Sequence, residues 1–205
     1  MHVLEREFFT VSVIAAPLPH LAELFAVDAP SAVVLAPTAL AFPLQPYRSA
    51  EHDLPMVLWS PSAAPELTAF MPAVRSGDYF VTKYAHENFG LSVATGRSSV
   101  SSAEWPIAEF VSYPSHKRRR IVRAMRDDPH WEFFADGDVL PFEDTAKYSR
   151  RLIKDRFVRD DVIRYLECWG APVRDPKFWE SDEAMTFVRR TANPSFQRTA
   201  TRPLN

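Results

Sequence analysis

The sequence predicts an α+β fold, with an antiparallel sheet and short helices in the first two thirds and a helical C-terminal third packed on that sheet. Three observations carry the expectation. Short runs rich in β-branched and aromatic residues recur before residue 115, each bounded by proline or polar residues. Eighteen Pro against five Gly favour short elements with frequent stops, because proline fixes φ and removes a donor. From residue 115 onward, apolar residues fall at helical spacing among charged ones. With 46% hydrophobic residues in 205, the chain can bury the core of one domain, placed at 1–190.

The first element is EFFTVSVIA at 7–15, where Phe9, Val11 and Val13 alternate with Phe8, Thr10, Ser12 and Ile14, the pattern of a strand. After Pro17 and Pro19, HLAELFAV places Leu21, Leu24 and Phe25 on one side of a two-turn helix. The apolar runs at 32–36 and 55–60 read as strands or extended segments. The segment 64–74 reads as a short helix with Leu67, Phe70, Met71 and Val74 inward, ended by Ser76-Gly77-Asp78. A meander is expected next, from strands at 79–84 and 89–94 joined by His86-Glu87-Asn88, and a third at 105–111 beyond the polar GRSSVSSAE.

Ser115 is placed to cap a helix over HKRRRIVRAMRDD, with Ile121, Val122 and Met125 as its apolar stripe and Pro129 beyond its end. A strand at 131–134 follows. It leads into ADGDVLPFED, where Asp136-Gly137 supplies a tight turn to a short return strand at 139–140, ended by Pro141. Glu143 and Asp144 then stand at a helix start, where the dipole favours negative charge. Thr145 caps the predicted helix AKYSRRLIKDRF, and Asp160 caps DVIRYLECW, with Ile163, Leu166 and Trp169 inward and Gly170 as its terminator. KFWESDEAMTFVRR, after Pro176, reads as a last short helix packing Phe178 and Trp179.

The net charge of −2 conceals a division. Residues 1–115 hold 5 Lys/Arg against 11 Asp/Glu, a balance of −6, while 116–205 hold 19 against 15, a balance of +4. An acidic first part suits a basic partner. No apolar run reaches the roughly 18 residues that cross a bilayer, and MHVLEREFF opens with acids where a secretory signal places Lys or Arg, so a cytoplasmic protein without membrane contact is expected. The lone Cys168 makes no internal disulfide and reads as a small buried apolar side chain.

No cofactor and no metal are expected. The six histidines, at 2, 20, 52, 86, 116 and 130, lack the spacing that puts two ligands on one helix face, and one cysteine makes no thiolate cage. ADGDVLPFED interrupts a calcium-loop pattern with Val139-Leu140-Pro141-Phe142. No serine stands in a nucleophile elbow, and five scattered glycines make no phosphate cradle. The basic run remains. On a helix, Arg119, Arg123 and Arg126 share one face that suits a phosphate backbone, although Asp127 and Asp128 follow at once. Glu132, between Trp131 and Phe133 in a predicted strand, points opposite to both, toward solvent or a partner.

The end of the chain, TANPSFQRTATRPLN at 191–205, has two prolines and no periodicity and is expected to be a disordered tail. Its wording resembles the translated ends of many unrelated bacterial proteins encoded on mobile gene cassettes. The resemblance covers fifteen residues and implies a cassette-encoded accessory protein, without implying a fold.

The function expected on this reading is a non-catalytic protein-binding module, of the cytoplasmic immunity or antitoxin type, anchored by its 13% aromatic residues. Its partner is then another protein. Two alternatives stand beside it. One is an enzyme with a dispersed acid–base site drawn from Glu109, Glu132 and His130 or His86. The other is a nucleic-acid binder using the Arg119, Arg123 and Arg126 helix face.

Overall fold

The computed structural model describes residues 3–27, 33–38, 57–71, 79–114 and 118–189. The chain runs through β1 (Phe8–Ile14), α1 (Leu18–Val27), β2 (Val33–Thr38), β3 (Val57–Trp59), β4 (Thr68–Phe70) and α2 (Tyr79–Phe89). It continues through β5 (Val93–Ser99), β6 (Ile107–Tyr113), β7 (Arg120–Asp127), β8 (His130–Asp136), α3 (Arg159–Trp169) and β9 (Ala184–Arg189). Among the described residues the strands form one sheet in the order β2-β9-β3-β4-β1-β5-β6-β7-β8, antiparallel at every pairing, so the α+β class holds.

Period-two alternation in β1 builds the core on both sides of the sheet. Phe9, Val11 and Val13 face α3 and pack with Phe110, Val122 and Leu166. Ile14 faces the other way and packs with α1 and α2 through Leu21, Phe25, Val81 and Ala85. Each such fully buried Leu or Phe contributes about 1.5–3 kcal/mol. The α3 helix comes so close to β5 that a Cβ on Gly96 would lie 2.6 Å from Leu166 Cδ1 and 2.9 Å from Val162 Cγ1. The helix starts beyond Val158, whose N–H donates to the Asp161 carboxylate at 3.0 Å, and ends at Gly170, with φ 118°.

Several expectations are corrected. The stretch read as a helix over 64–74 carries the strand β4, whose Thr68–Phe70 pairs with both β1 and β3; residues 72–78 lie outside the described residues. Tyr79–Phe89 is a helix where a strand and turn were expected, because Val81 and Ala85, four apart, bury one helical face. The strand that follows starts at Val93 and runs through Gly96-Arg97-Ser98-Ser99, part of the stretch read as a polar linker.

The predicted helical last third forms only in part: α3 stands where a helix ending at Gly170 was expected, and the rest differs. The basic segment expected to be a helix is the strand β7, while Ser115 lies outside the described residues. Burial of Arg120, Val122 and Ala124 follows a period of two. The hairpin turn falls at Asp128-Pro129, a cis peptide, between β7 and β8. The return strand at 139–140 is absent, and residues 145–155 make two 3-10 turns, Thr145–Ser149 and Ile153–Asp155, in place of a helix. Pro176–Trp179 is a 3-10 turn with Phe178 and Trp179 buried as expected, but Ala184–Arg189 enters the sheet as β9, between β2 and β3. Cys168 is exposed rather than buried. The tail at 191–205 lies outside the described residues.

Candidate functional site

Sheet register brings four side chains into one row. Arg97 on β5 lies opposite Glu109 on β6, Glu109 opposite Arg123 on β7, and Arg123 opposite Phe134 on β8. Directly opposed residues point to the same side of a sheet, so the row occupies the face away from α3. Glu109, only 3% exposed at its side chain, accepts from Arg97 Nε at 2.6 Å through Oε1 and meets Arg123 Nη1 at 3.6 Å through Oε2. The Arg123 guanidinium in turn lies 5.8 Å from the centre of the Phe134 ring.

The row floors a concavity of about 470 Å³ whose wall also carries Lys83 from α2, Tyr113 from β6, and Arg119 just before β7. Among the described residues of its lining, four cations and one carboxylate share this concavity. Lys83 shares its charge with Glu87 at 3.7 Å, an exposed pair of small energetic weight. A buried carboxylate that orients two guanidinium groups reduces the entropy lost when their forks engage an incoming anion. A second concavity of about 370 Å³ adjoins at Arg97 and is mostly apolar, with Phe8, Trp105, Pro106, Ile107 and Met125 on its walls.

Of the binding residues expected from the sequence, Arg119 and Arg123 meet here, and Arg126 does not. On a strand, residues three apart point to opposite faces. Arg126 lies opposite Trp131 on the other side of the sheet and is exposed, so the expected three-arginine helix face does not exist. Glu132 is exposed, opposite Met125, on the same side as Phe134 and one step along from the row.

The residues of the expected acid–base site are not assembled. Glu109 is engaged by two arginines, His130 and Glu132 stand exposed on β8, and His86 Nδ1 lies 3.1 Å from Leu91 O beneath Tyr113. β6 and β8 are separated by β7, about 10 Å across the sheet. Among the described residues, no group of three or more His, Cys, Asp and Glu is placed to hold a metal ion. No described helix is long and apolar enough to cross a membrane.

The opposite face holds a network that the sequence reading missed. Arg120 points inward from β7 and forms a two-pronged pair with Glu143, Nε to Oε1 at 2.8 Å and Nη2 to Oε2 at 2.5 Å. Their side chains are 4% and 0% exposed. Glu143 also accepts from the Tyr148 hydroxyl at 2.6 Å and from Leu140 N at 2.8 Å, while Arg120 Nη1 donates to the carbonyls of Asp136 and Gly137. Tyr148 and Tyr165 hydroxyls are 2.8 Å apart. Burial pushes the Glu143 carboxyl up, but the bonds from Arg120, Tyr148 and Leu140 outweigh it and hold the group below its usual value. Tyr148 is pushed well above the usual phenol range, first by burial and then by its bond to Glu143. The sequence signal was the alternation of Arg120, Val122 and Ala124, which marks Arg120 as an inward position needing a counter-charge.

No family model, no curated protein and no solved structure matches the chain.

Proposed function

We propose that the chain is a non-catalytic binding module that docks an acidic segment of a partner protein on the β5–β8 face away from α3. The carrying observation is the Arg97–Glu109–Arg123–Phe134 row, with Lys83 and Arg119 at its margin. The division of charge along the sequence favoured a basic partner. Folding redistributes that charge, because Lys83 and Arg97 from the acidic first part join Arg119 and Arg123 from the basic second part. Phe134, 44% exposed, and Trp105, 53% exposed, supply aromatic anchors beside the cations, so the segment that fits carries acidic side chains flanked by apolar ones. The cassette-like wording of residues 191–205 supports a protein of the cytoplasmic immunity or antitoxin type.

The test is affinity purification from the native host at near-physiological salt, with the full chain and with the double variant Arg119→Glu, Arg123→Glu. A stoichiometric acidic protein is expected with the unaltered chain, absent with the variant, and released near 1 M salt, where the screening length falls to about 3 Å. Recovery of nucleic acid alone, or of a partner that the double variant retains, would overturn the reading.

A further inference from the structure

We infer that the chain pairs with a second copy of itself through the outer edge of β8, extending the sheet across a two-fold axis at Phe133. Among the described residues β8 ends the sheet, and its seven residues pair with β7 without a break in register. Which of its backbone groups point outward follows from its neighbour. Arg126 N donates to Pro106 O at 2.9 Å on the β6 side of β7, so the even positions of β7 bond toward β6 and the odd ones toward β8. Through the register, His130, Glu132, Phe134 and Asp136 use their N–H and C=O groups on β7, whereas those of Trp131, Phe133 and Ala135 point away from the sheet. Among the described residues, none of these outward groups makes a hydrogen bond.

Sheet proteins blunt such an edge with proline, with charged side chains, lysine above all, or with a bulge. HWEFFAD contains no proline, lysine or arginine and its register contains no bulge; its two carboxylates, Glu132 and Asp136, are the charges that a partner strand has to accommodate. An edge that the described residues leave open is a template for another strand, and the side chains of this one match its own copy.

An antiparallel pair centred on Phe133 matches every residue of the strand. His130 then lies opposite Asp136 of the second copy, Trp131 opposite Ala135, and Glu132 opposite Phe134. The outward positions 131, 133 and 135 fall in hydrogen-bonded pairs, as their backbone orientation requires. Two His–Asp pairs close the ends, and the bulky Trp131 meets the small Ala135. Neighbouring registers are worse. Centring on residue 132 sets Glu132 against its own copy, and centring on 134 sets Glu132 against Asp136 twice, each a like-charge contact. The contact uses the backbone edge of β8 and sets Glu132 of the second copy beside Phe134, at the margin of the Arg97 and Arg123 concavity; it rests on the strand edge alone and not on the proposed docking.

Sedimentation velocity of the full chain over a wide concentration range tests the inference, with circular dichroism as the control for folding. The expected result is a reversible monomer–dimer equilibrium. Ala135→Pro removes one outward N–H and adds a ring at the edge, so it should abolish the dimer while the dichroism stays unchanged. His130→Asp places two carboxylates together at each end and should weaken the dimer by roughly tenfold or more, and adding Asp136→His should restore it by exchanging the two partners of each His–Asp pair. A chain that stays monomeric at every concentration overturns the proposal. So does a dimer that survives Ala135→Pro, or one that the His–Asp exchange fails to restore.

Discussion

Replacing Glu143 by alanine removes the acceptor for three buried donors at once: the Arg120 fork, the Tyr148 hydroxyl and the Leu140 N–H. Arg120 keeps its contacts to the carbonyls of Asp136 and Gly137 but loses its counter-charge while remaining 4% exposed. Breaking a buried pair from one side costs about 3–5 kcal/mol, because the surviving charge stays desolvated. Against a total stability of about 5–15 kcal/mol, that is a large share. With a urea slope near 2 kcal/mol per molar, the unfolding midpoint of Glu143→Ala should fall by about 1.5–2.5 M at neutral pH with the slope unchanged. The companion double variant Arg120→Met, Glu143→Leu removes both charges and fills the space with apolar atoms, so it should lose far less than Glu143→Ala alone. Equilibrium urea unfolding followed by far-ultraviolet dichroism reads both. A midpoint shift below about 0.5 M for Glu143→Ala would refute the argument that this carboxylate anchors the β7–β8 end of the sheet.

The same pair predicts a pH dependence. Glu143 is held below its ordinary value of 4.5, so its contribution is fully present above that value and disappears as pH falls through the depressed one. The stability difference between the unaltered chain and Glu143→Gln should therefore be constant above about pH 5 and shrink in more acidic solution. Gly96→Val should destabilise by about 1–3 kcal/mol, read as a drop in thermal midpoint, since the new side chain collides with Leu166 and Val162 across the α3–β5 contact. Gly137→Ala should cost at least about 1–3 kcal/mol by the same measurement, because the residue has φ 86° and its Cβ would collide with the Arg119 carbonyl oxygen.

What was legible in the sequence was local. β1 announces itself by alternation, β6 and β8 by short runs of apolar and aromatic residues, α1 and α3 by three-to-four spacing, and Gly170 by its place after the last apolar turn of α3. Errors fell where one run of residues satisfies both periods. Tyr79-Phe80-Val81-Thr82 reads as a strand by propensity, yet Val81 and Ala85 bury one helical face against α1 and the sheet. β9 was not legible because its identity depends on pairing with β2 and β3, over a hundred residues earlier in sequence. Arg97 and Glu109 were adjacent in the row only once β5 and β6 were in register, so Arg97 passed unremarked inside a polar stretch.

The basic run shows most directly how secondary structure decides chemistry. Arg120 and Arg123 are three residues apart, neighbours on one face of a helix but opposed across a strand. As a helix, the segment would present one phosphate-binding patch. As β7, it divides its cations between two environments: Arg120 goes into the α3 side, where it survives burial only because Glu143, Tyr148 and two carbonyls receive it, and Arg123 goes to the concave side beside Glu109. The two are mechanically linked. Arg120 Nη1 holds the Asp136 and Gly137 carbonyls at the end of β8, and Gly137 packs directly on the backbone of Arg119. The buried pair therefore fixes the strand pair from which Arg119, Arg123 and Phe134 project, so the geometry of the basic face depends on a carboxylate on the opposite side of the sheet.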